Sequence, residues 1–482
     1  KYKILQQFGF APTQEQGQAL DTFVSFLTDR DPQAVMILRG SAGTGKTSLS
    51  GAIVRTLLQI RQKVMLLAPT GRAAKVFSLG SGAPAYTIHR RIYREKAFAG
   101  VDGQFSLNDN LYTDTLFMVD EASMIANMGL GGTTFGSGCL LDDLVKFVYQ
   151  GHNDRLLLIG DKAQLPPVGE EESPALSASV MEGYGLKVYE CDLNEVLRQS
   201  QSSGILYNAT LIRQMITHDA VTGLPLIRFK GFADIVMMPG AELVESLGDS
   251  YHHVGLDETM VITRSNKRAN IYNNGIRNMV LDREEELSSG DMLMIVKNNY
   301  FWTEKEKKES GEGSAGAVPA FLANGDRAKV LRVSNYIELY GFRFATLLLQ
   351  LPDYDDYEMQ VTGMLDTLQS EAPALTHEQQ EELFRQVEED YQHFVPLKAD
   401  RMKSIRQDAY FNALQIKYAY AVTCHKAQGG QWAHVYVDQG YMTDDMLTPD
   451  YIHWLYTAFT RATDKLFLVN WPKEQTCEPT DL

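Results

Sequence analysis

Residues 40–47 have the sequence Gly40-Ser41-Ala42-Gly43-Thr44-Gly45-Lys46-Thr47, and this stretch decides the fold because it matches the pattern G-x-x-x-x-G-K-[ST]. An apolar β-type run, residues 34–38, precedes it, and apolar residues at helical spacing follow it. Glycines let backbone N–H groups surround phosphate oxygens, and the following helix adds its positive end. We therefore predict a strand, a phosphate-binding loop and a helix, in that order.

The side chains of this loop predict a nucleotide site for ATP. Lys46 is expected to reach the β- and γ-phosphates, and the hydroxyl of Thr47 to bind Mg²⁺. The expected nucleotide-binding residues of the loop are Gly40, Ser41, Ala42, Gly43, Thr44, Gly45, Lys46, Thr47 and Ser48.

Polar residues follow two further apolar runs. The run at 116–119 is followed by Asp120 and Glu121, and the run at 155–159 is followed by a short turn that contains Gln164. Since open α/β sheets bind ligands at the carboxyl ends of their strands, we expect these side chains at one edge. Asp120 would hold the Mg²⁺, Glu121 would orient and deprotonate the attacking water, and Gln164 would hydrogen-bond the γ-phosphate or that water. Alone, each pattern also fits an ordinary strand end or turn. Together with the predicted phosphate loop, these patterns favour the catalytic interpretation.

The alternation of strands and helices predicts an α/β fold with parallel sheets covered by helices. Further strands are expected at 63–68 and 115–119. A second α/β domain is expected from the runs at 234–238, 260–263, 292–296, 435–437 and 466–469. Short β-type segments and then an acidic helical stretch, within 326–414, would interrupt that second domain.

The charge is unevenly distributed along the chain. The formal net charge is −16, which by itself argues against a nucleic-acid partner. Residues 351–392, however, hold twelve acids and one base and so carry −11, whereas residues 71–96 carry +5 with aromatic residues interleaved. Basic and aromatic residues together are typical of a single-strand binding groove, and the alternative is a solvated basic helix with core aromatics.

Other features exclude several classes of protein. The four cysteines lie far apart without a C-x-x-C pair, which fits neither a zinc site nor a disulfide framework, so we expect a reducing, cytoplasmic setting. The sequence contains no run of about 18 apolar residues, so no membrane span is predicted. Lys1 is not followed by an apolar segment, so no signal peptide is expected.

The order of motifs resembles that of superfamily-one helicases, most of all the RecD/Dda branch and the related Pif-type enzymes. Besides the phosphate loop, the motifs that carry the resemblance are Leu66-Leu-Ala-Pro-Thr-Gly-Arg-Ala-Ala-Lys75, Thr87-Ile-His89, Asp120-Glu121, Gly160-Asp-Lys-Ala-Gln164, Leu193-Asn-Glu-Val-Leu-Arg198-Gln199, Thr423-Cys-His-Lys-Ala-Gln-Gly429 and Tyr456-Thr-Ala-Phe-Thr-Arg461-Ala. With Gln16 they extend over almost the whole chain.

The resemblance implies roles for three more residues at the nucleotide. Gln16 matches the glutamine that contacts adenine, and Arg198 and Arg461 match two arginines that the second domain presents to the γ-phosphate. Such arginines stabilise charge that develops on the transferred group. The expected catalytic residues are Lys46, Glu121, Gln164, Arg198 and Arg461.

The resemblance also implies contacts to single-stranded DNA. In the first domain these are Pro69, Thr70, Thr87 and His89, to which we add Arg72 of the basic stretch. In the second domain they are Thr423, His425, Lys426 and Gln428. A thiol–imidazole nucleophile formed by Cys424 and His425 is rejected, because the motif accounts for both residues.

Two small inserts are expected from the resemblance. Residues 91–114, with Phe98, match a β-hairpin that splits the duplex, although surface aromatics on a loop are an equal alternative. The turn at Asn324-Gly-Asp326 matches the start of an SH3-like barrel, whereas the glycine-rich run 129–138 has no assigned counterpart. The expected domains are 1–190 and, for the second motor, 191–325 with 415–482, interrupted by 326–414.

These features predict an ATP- and Mg²⁺-dependent DNA helicase with two RecA-like motor domains. Gln164 is followed by Leu-Pro-Pro and not by the aromatic and arginine of the 3′-to-5′ branch, so the resemblance implies 5′-to-3′ movement (group B). Single-stranded DNA and duplex junctions are the expected partners of a monomeric motor that binds no membrane. An RNA-directed helicase and a nucleotide-switched clamp that separates no duplex remain the alternatives.

Overall fold

The computed structural model describes residues 1–99, 102–128, 136–196, 202–217, 223–310, 318–319, 321–443 and 446–477, without the side chains of 95–99, 102–104 and 310. The chain divides into two compact units. Unit one comprises Lys1–Gly240 and Ala427–Leu482, and unit two comprises Ala241–Lys426. No helix in the described ranges is both long enough and apolar enough to cross a membrane.

The strands and helices are numbered here along the chain. The strands are β1 Ala34–Gly40, β2 Lys63–Ala68, β3 Ala85–Thr87, β4 Tyr93–Ala99, β5 Asp102–Leu107, β6 Thr115–Val119, β7 Arg155–Gly160, β8 Lys187–Leu193, β9 Ile235–Met238, β10 Thr259–Thr263, β11 Met292–Ile295, β12 Arg327–Leu339, β13 Phe342–Leu351, β14 Tyr357–Met364, β15 Leu414–Tyr418, β16 Ala421–Thr423, β17 Trp432–Asp438 and β18 Ala462–Val469. The helices are α1 Tyr2–Phe8, α2 Gln14–Leu27, α3 Lys46–Gln59, α4 Gly71–Ser81, α5 Ile88–Ile92, α6 Leu140–Gln150, α7 Ala178–Gly183, α8 Gly204–Thr217, α9 Leu243–His253, α10 Asn266–Gly275, α11 Phe301–Ser310, α12 His377–Gln392, α13 Lys398–Arg406, α14 Cys424–Ala427 and α15 Pro449–Phe459.

Unit one contains a parallel sheet with the strand order β3-β2-β6-β7-β1-β8. Strands β1, β6 and β7 are buried along their whole length, because helices cover both faces of the sheet. Met36 and Leu38 of β1 therefore belong to one core cluster, and the alternate residues Val35 and Ile37 belong to the other. The parallel α/β sheet predicted from the sequence is confirmed.

A β-hairpin extends from this sheet region. Strands β4 and β5 pair antiparallel, from Tyr93 opposite Leu107 to Ala99 opposite Asp102. At its base, the hydroxyl of Tyr93 donates to Asp143 Oδ2 of α6 (2.7 Å). The hairpin predicted within 91–114 is confirmed, whereas the side chain of Phe98 lies outside the described atoms.

Unit one also contains three parallel strands that come from both of its stretches of chain. Strand β18 pairs with β17 on one side and with β9 on the other. Helix α15 is buried, with Tyr451, Leu455, Tyr456 and Phe459 at 1 % exposure or less. The last stretch of the chain is thus part of the core of unit one.

Unit two contains a closed barrel of strands β11, β12, β13, β14 and β15, and β10 pairs in parallel with β16. The run at 292–296, predicted for the second parallel sheet, lies in this barrel as β11, so that assignment was wrong. Met294 pairs antiparallel with Arg327 of β12, and Leu293 with Tyr418 of β15. A short apolar run is equally suited to both kinds of sheet, and only its pairing partners distinguish them.

Helices α12 and α13 pack on the barrel. Leu383 and Val387 of α12 and Ile405 of α13 form one core cluster with Phe342 and Phe344 of β13. Of the twelve acids of residues 351–392, nine lie in the β13–β14 turn and along α12, and all twelve lie within unit two.

Asp326 lies in the predicted turn that opens β12. Its Oδ2 accepts hydrogen bonds from Tyr354 Oη (2.6 Å) and Ala323 N (2.7 Å). Burial raises the pKa of this carboxyl to about 7.

A buried ion cluster connects the barrel to the chain before and after it. Asp291 is fully buried and accepts from Arg277 Nε (3.0 Å), Arg283 Nη1 (2.7 Å) and Tyr420 Oη (2.8 Å). Ser288 N also donates to Asp291 Oδ2 (2.7 Å). The carboxylate therefore neutralises two arginines in the interior of unit two.

We expect Asp291→Ala to lower the free energy of unfolding of unit two by about 3–5 kcal/mol, because it leaves the buried Arg277 without its counter-charge. Urea denaturation followed by circular dichroism measures this change. The control is Glu389→Ala, which removes an exposed ion pair with Arg385 and should cost less than about 1 kcal/mol. Equal costs for the two variants would contradict the assigned role of the cluster.

Candidate functional site

The loop between β1 and α3 adopts the conformation that its glycines allow. Gly43 and Gly45 have φ of 77° and 78°, in the left-handed region. At Gly40 a Cβ atom would lie 2.8 Å from Lys46 Cγ and 2.9 Å from Thr44 Oγ1, so a larger residue would displace the lysine. Lys46 Nζ donates to the carbonyl oxygens of Gly40 and Ser41, the latter at 3.0 Å.

Gln16 holds the loop from α2. Its Nε2 donates to the carbonyl of Thr44 (2.9 Å), and its Oε1 accepts from Thr13 N (3.0 Å) as part of the capping box of α2. The side chain is 1 % exposed. The structure therefore brings Gln16 to the loop, with its amide engaged on both sides.

The neighbouring Glu15 holds the chain that leads to Arg198. Its Oε2 accepts from the backbone N–H groups of Asn194 (2.5 Å) and Glu195 (2.7 Å). Arg198 itself lies outside the described residues.

Asp120 and Glu121 stand at the carboxyl end of β6. Asp120 N donates to the carbonyl of Leu67 in β2 (3.0 Å), and Asp120 Oδ1 accepts from Glu121 N (2.9 Å). Glu121 has φ 52° and ψ 37°, a left-handed conformation that costs a residue with a side chain roughly 1–2 kcal/mol. Backbone strain of this kind is frequent at functional sites.

Burial and the neighbouring carboxylate of Glu121 raise the pKa of Asp120 to about 7. A nearby cation would stabilise the charged form of this carboxylate. Thr47, which offers a hydroxyl, is the second residue of α3 in the same unit. Carboxylate and hydroxyl oxygens are the hard ligands that Mg²⁺ prefers, so this donor set fits the ion.

Gln164 connects two of the other predicted catalytic residues, Glu121 and Arg461. In the amide orientation that satisfies both neighbours, its nitrogen donates to Glu121 Oε2 (3.3 Å) and its oxygen accepts from Arg461 Nη2 (3.1 Å). Arg461 is 2 % exposed and also donates to the carbonyls of Thr457 (3.1 Å) and Gly430 (3.0 Å). The structure thus brings Glu121, Gln164 and Arg461 together.

Tyr456 is a contact residue that the sequence interpretation did not assign. Its hydroxyl accepts from Ala42 N of the loop (2.9 Å) and donates to Asp161 Oδ2 (2.6 Å). Burial and the adjacent carboxylate raise the pKa of Tyr456 well above its usual value. Tyr456 begins the motif that ends in Arg461, and nothing in its residue type indicated contact with the phosphate loop.

Several predicted DNA contacts of unit one lie at one edge of its sheet. Pro69 and Thr70 follow β2, and Thr87 ends the neighbouring β3, whose register pairs it with Ala68. Thr70 and Thr87 cap α4 and α5, accepting from Ala73 N (3.2 Å) and Arg90 N (3.3 Å). Helix N-termini favour anionic ligands, although here the two threonine hydroxyls are already engaged.

Gln428 and Gly429 contact the same region from the C-terminal part of unit one. Gln428 Nε2 donates to the carbonyl oxygen of Leu165 (2.7 Å), the residue that follows Gln164. A Cβ at Gly429 would lie 3.0 Å from Thr70 Oγ1, and its φ of 73° also requires glycine. This motif therefore joins the nucleotide edge to α4.

The basic stretch is partly engaged within unit one. Arg72 Nη2 donates to the carbonyl of Gln431 (3.0 Å), and its guanidinium lies 5.9 Å from the centre of the Trp432 ring. The guanidinium of Arg91 lies 3.7 Å from the centre of the Tyr86 ring. Burial lowers the pKa of His89 to about 4, so this ring is neutral at neutral pH.

The remaining predicted DNA contacts lie in unit two. Thr423 ends β16 opposite Thr263 of β10, and His425 and Lys426 follow in α14. Burial lowers the pKa of Lys426 to about 8, and burial together with the charge of Lys426 lowers that of Lys417 to about 8. Two lysines near each other are therefore easily deprotonated here.

The loop, the sheet edge and the carboxylates define an α/β protein of the phosphate-loop, nucleotide-binding class. Residues 12–223 match the sequence model of the AAA domain, and residues 418–469 match that of the UvrD-like helicase C-terminal domain. The chain therefore contains an AAA domain and a UvrD-like helicase C-terminal domain, in that order.

Individual relatives have low sequence identity to this chain and match only part of it. The chain is 30 % identical over 157 residues to the ATP-dependent RecD2 DNA helicase of Deinococcus radiodurans, which covers 32 % of this chain and 18 % of the relative. It is 25 % identical over 267 residues to the ATP-dependent DNA helicase dda of Enterobacteria phage T4, covering 54 % and 55 %. The chain thus spans about half or less of the length of these relatives.

Among solved structures, a Pif1 helicase described in work on DNA unwinding at forked double-stranded DNA has a TM-score of 0.47 at 13 % identity. The alignment covers 97 % of this chain and 95 % of that one.

We expect Tyr456→Phe to lower the free energy of unfolding of unit one by about 1–3 kcal/mol, because it leaves Ala42 N and the buried Asp161 carboxylate without this partner. Chemical denaturation followed by intrinsic fluorescence measures the loss. Tyr184→Phe is the matched control, since it removes one half-buried bond to Asn127 and should cost about 1 kcal/mol or less. A Tyr456→Phe variant as stable as wild type would refute the assigned contact.

Proposed function

We propose that this protein is a DNA helicase that hydrolyses ATP with Mg²⁺ and moves 5′ to 3′ along single-stranded DNA. The observation that carries the proposal is the Gln164 amide, which hydrogen-bonds both Glu121 and Arg461 in the unit that holds the phosphate loop. A carboxylate, an amide and a guanidinium at one sheet edge suit the in-line attack of water on a phosphoryl group.

Each of these residues has a distinct role in the proposed reaction. Lys46 leaves the carbonyls of Gly40 and Ser41 and pairs with the β- and γ-phosphates. Glu121 orients the attacking water and accepts its proton, while Arg461 stabilises the charge on the transferred group. Asp120 and Thr47 would hold Mg²⁺, which offsets the negative charge of the phosphates. Arg198 is proposed as the second arginine at the γ-phosphate, as the resemblance implies.

On the DNA side, the edge formed by Pro69, Thr70, Thr87 and His89 binds one strand in unit one. Thr423, His425 and Lys426 bind it in unit two, and Gln428 couples that motif to the nucleotide through Leu165. A strand held in alternation by two units advances one way when ATP binding changes their grip.

The hairpin β4–β5 is proposed to separate the duplex ahead of the motor, with Phe98 at the junction. Opening a DNA step costs roughly 1.4 kcal/mol, which one ATP readily supplies. The proposed direction is supported by Gln164-Leu-Pro-Pro. The proposed use of ATP and DNA is supported by the names of the two relatives, both ATP-dependent DNA helicases. We also propose a monomeric motor that works in the cytoplasm.

Partial duplexes with 5′ or 3′ single-stranded tails test activity and direction together. With ATP and Mg²⁺ we expect strand displacement from the 5′-tailed substrate and little from the 3′-tailed one, as measured by gel or fluorescence. Lys46→Ala should abolish both ATP hydrolysis and displacement, because the phosphates lose their lysine.

Different results identify different functions. Displacement from 3′ tails alone would overturn the direction. Hydrolysis stimulated by RNA but not by DNA oligomers would indicate an RNA-directed helicase, and hydrolysis without displacement on either tail would indicate a nucleotide-switched clamp.

Lys426 predicts a pH dependence of DNA binding. Its lowered pKa of about 8 means that the ammonium is charged at pH 7 and largely neutral at pH 9. We therefore expect the affinity for single-stranded DNA to fall severalfold between these values, and Lys426→Arg to keep it, because arginine stays protonated. Fluorescence anisotropy checks this. Lys403→Arg on the exposed part of α13 is the control, and a wild-type affinity that is unchanged from pH 7 to 9 would exclude Lys426 as a contact.

A further inference from the structure

Helix α8 lies against the phosphate loop. A Cβ at Gly43 would lie 3.2 Å from Leu206 Cδ1, so Leu206 packs directly on the loop backbone. Arg213 follows seven residues later, on the same face of the helix, and its Nη1 donates to Ser41 Oγ (2.7 Å). One face of α8 therefore contacts two positions of the loop.

The position of α8 is fixed at its other end. Asp234, next to β9, accepts from Gly204 N (2.7 Å) and Ser203 Oγ (2.5 Å) at the helix start. Asn208 is fully buried and exchanges hydrogen bonds with the backbone of Arg228 (2.8 and 2.9 Å). The guanidinium of Arg213 is thus carried by a well-anchored helix.

Arg213 is bonded to neutral groups. Apart from Ser41, its partners among the described residues are the side-chain and backbone oxygens of Asn194 (3.2 and 3.5 Å). Ser41 is also bound by the ammonium of Lys46 through its carbonyl (3.0 Å). Two cations therefore bind opposite ends of one residue, an arrangement that an anion between them would stabilise.

Arg213 borders a cavity of 280 Å³ that is also lined by Gly40 and Ser41. The other charged residues of the lining are Arg39, Lys162, Asp161, Glu171, Glu172 and Asp192. This cavity therefore meets the start of the phosphate loop. An arginine presents a planar fork of donors that matches phosphate oxygens.

We propose that Arg213 contacts the terminal phosphate of a nucleoside triphosphate, so that α8 distinguishes the triphosphate from the diphosphate. This inference rests on the proposed use of ATP and adds a contact beyond the residues assigned above. When the triphosphate is bound, Arg213 exchanges Ser41 Oγ for a phosphate oxygen. After hydrolysis and release of the phosphate it returns to Ser41.

Nucleotide binding to the full chain tests the proposal, with a non-hydrolysable ATP analogue and ADP titrated calorimetrically in Mg²⁺. Arg213→Ala should lower the affinity for the analogue by roughly tenfold or more, as expected for loss of a charge-assisted hydrogen bond. It should change the affinity for ADP by less than about threefold. Arg213→Lys should restore part of the affinity for the analogue, since it keeps the charge without the fork. The control is Leu211→Ala, an exposed position of the same helix that should change neither affinity.

Asn194→Ala distinguishes a phosphate contact from a structural role, because it removes the other side chain that Arg213 binds. If Arg213 contacts phosphate, Asn194→Ala keeps the preference for the analogue that Arg213→Ala loses. If Asn194→Ala reproduces Arg213→Ala, or if Arg213→Ala weakens the binding of both nucleotides equally or of neither, the proposal is overturned while the proposed function stands. Wild-type protein that binds neither nucleotide would overturn both.

Discussion

The hydroxyl of Tyr456 joins three segments that are far apart in the sequence: the phosphate loop through Ala42 N, the chain after β7 through Asp161, and helix α15 that carries it. Because buried polar groups need partners, each of these segments fixes the others. The loop is held elsewhere by Gln16 at Thr44, and its own lysine binds two of its carbonyls. Hydrogen bonds from α2, α8 and α15 therefore hold the phosphate loop together.

The sequence was sufficient for those parts of the site that depend on local chemistry. Glycines at 43 and 45 permit the left-handed φ of 77° and 78° that the loop adopts. Carboxylates placed after apolar runs meet at a sheet edge because the strands are parallel. It was insufficient where distant segments decide. The run at 292–296 is apolar in either sheet, and only its pairing with β12 and β15 places it in the barrel. The left-handed backbone conformation of Glu121 likewise could not be predicted from its residue type.

Charge illustrates the same distinction between composition and placement. Residues 351–392 of unit two carry −11 of the net charge of −16, whereas the basic residues cluster in α4, α5 and the start of β4 of unit one. Some of these cations already lie on aromatic rings, as Arg91 lies on Tyr86 and Arg72 near Trp432. Ring contacts keep guanidinium groups oriented while leaving donors for phosphate oxygens.

Unit one is built from two stretches of chain, and the second begins only at Ala427. During synthesis the phosphate loop, Asp120, Glu121 and Gln164 leave the ribosome long before Tyr456 and Arg461 do. The nascent chain therefore holds a phosphate loop without Tyr456, and Glu121 and Gln164 without Arg461, until unit two has been made. The order of translation thus postpones these contacts until unit two, made in between, has had time to fold.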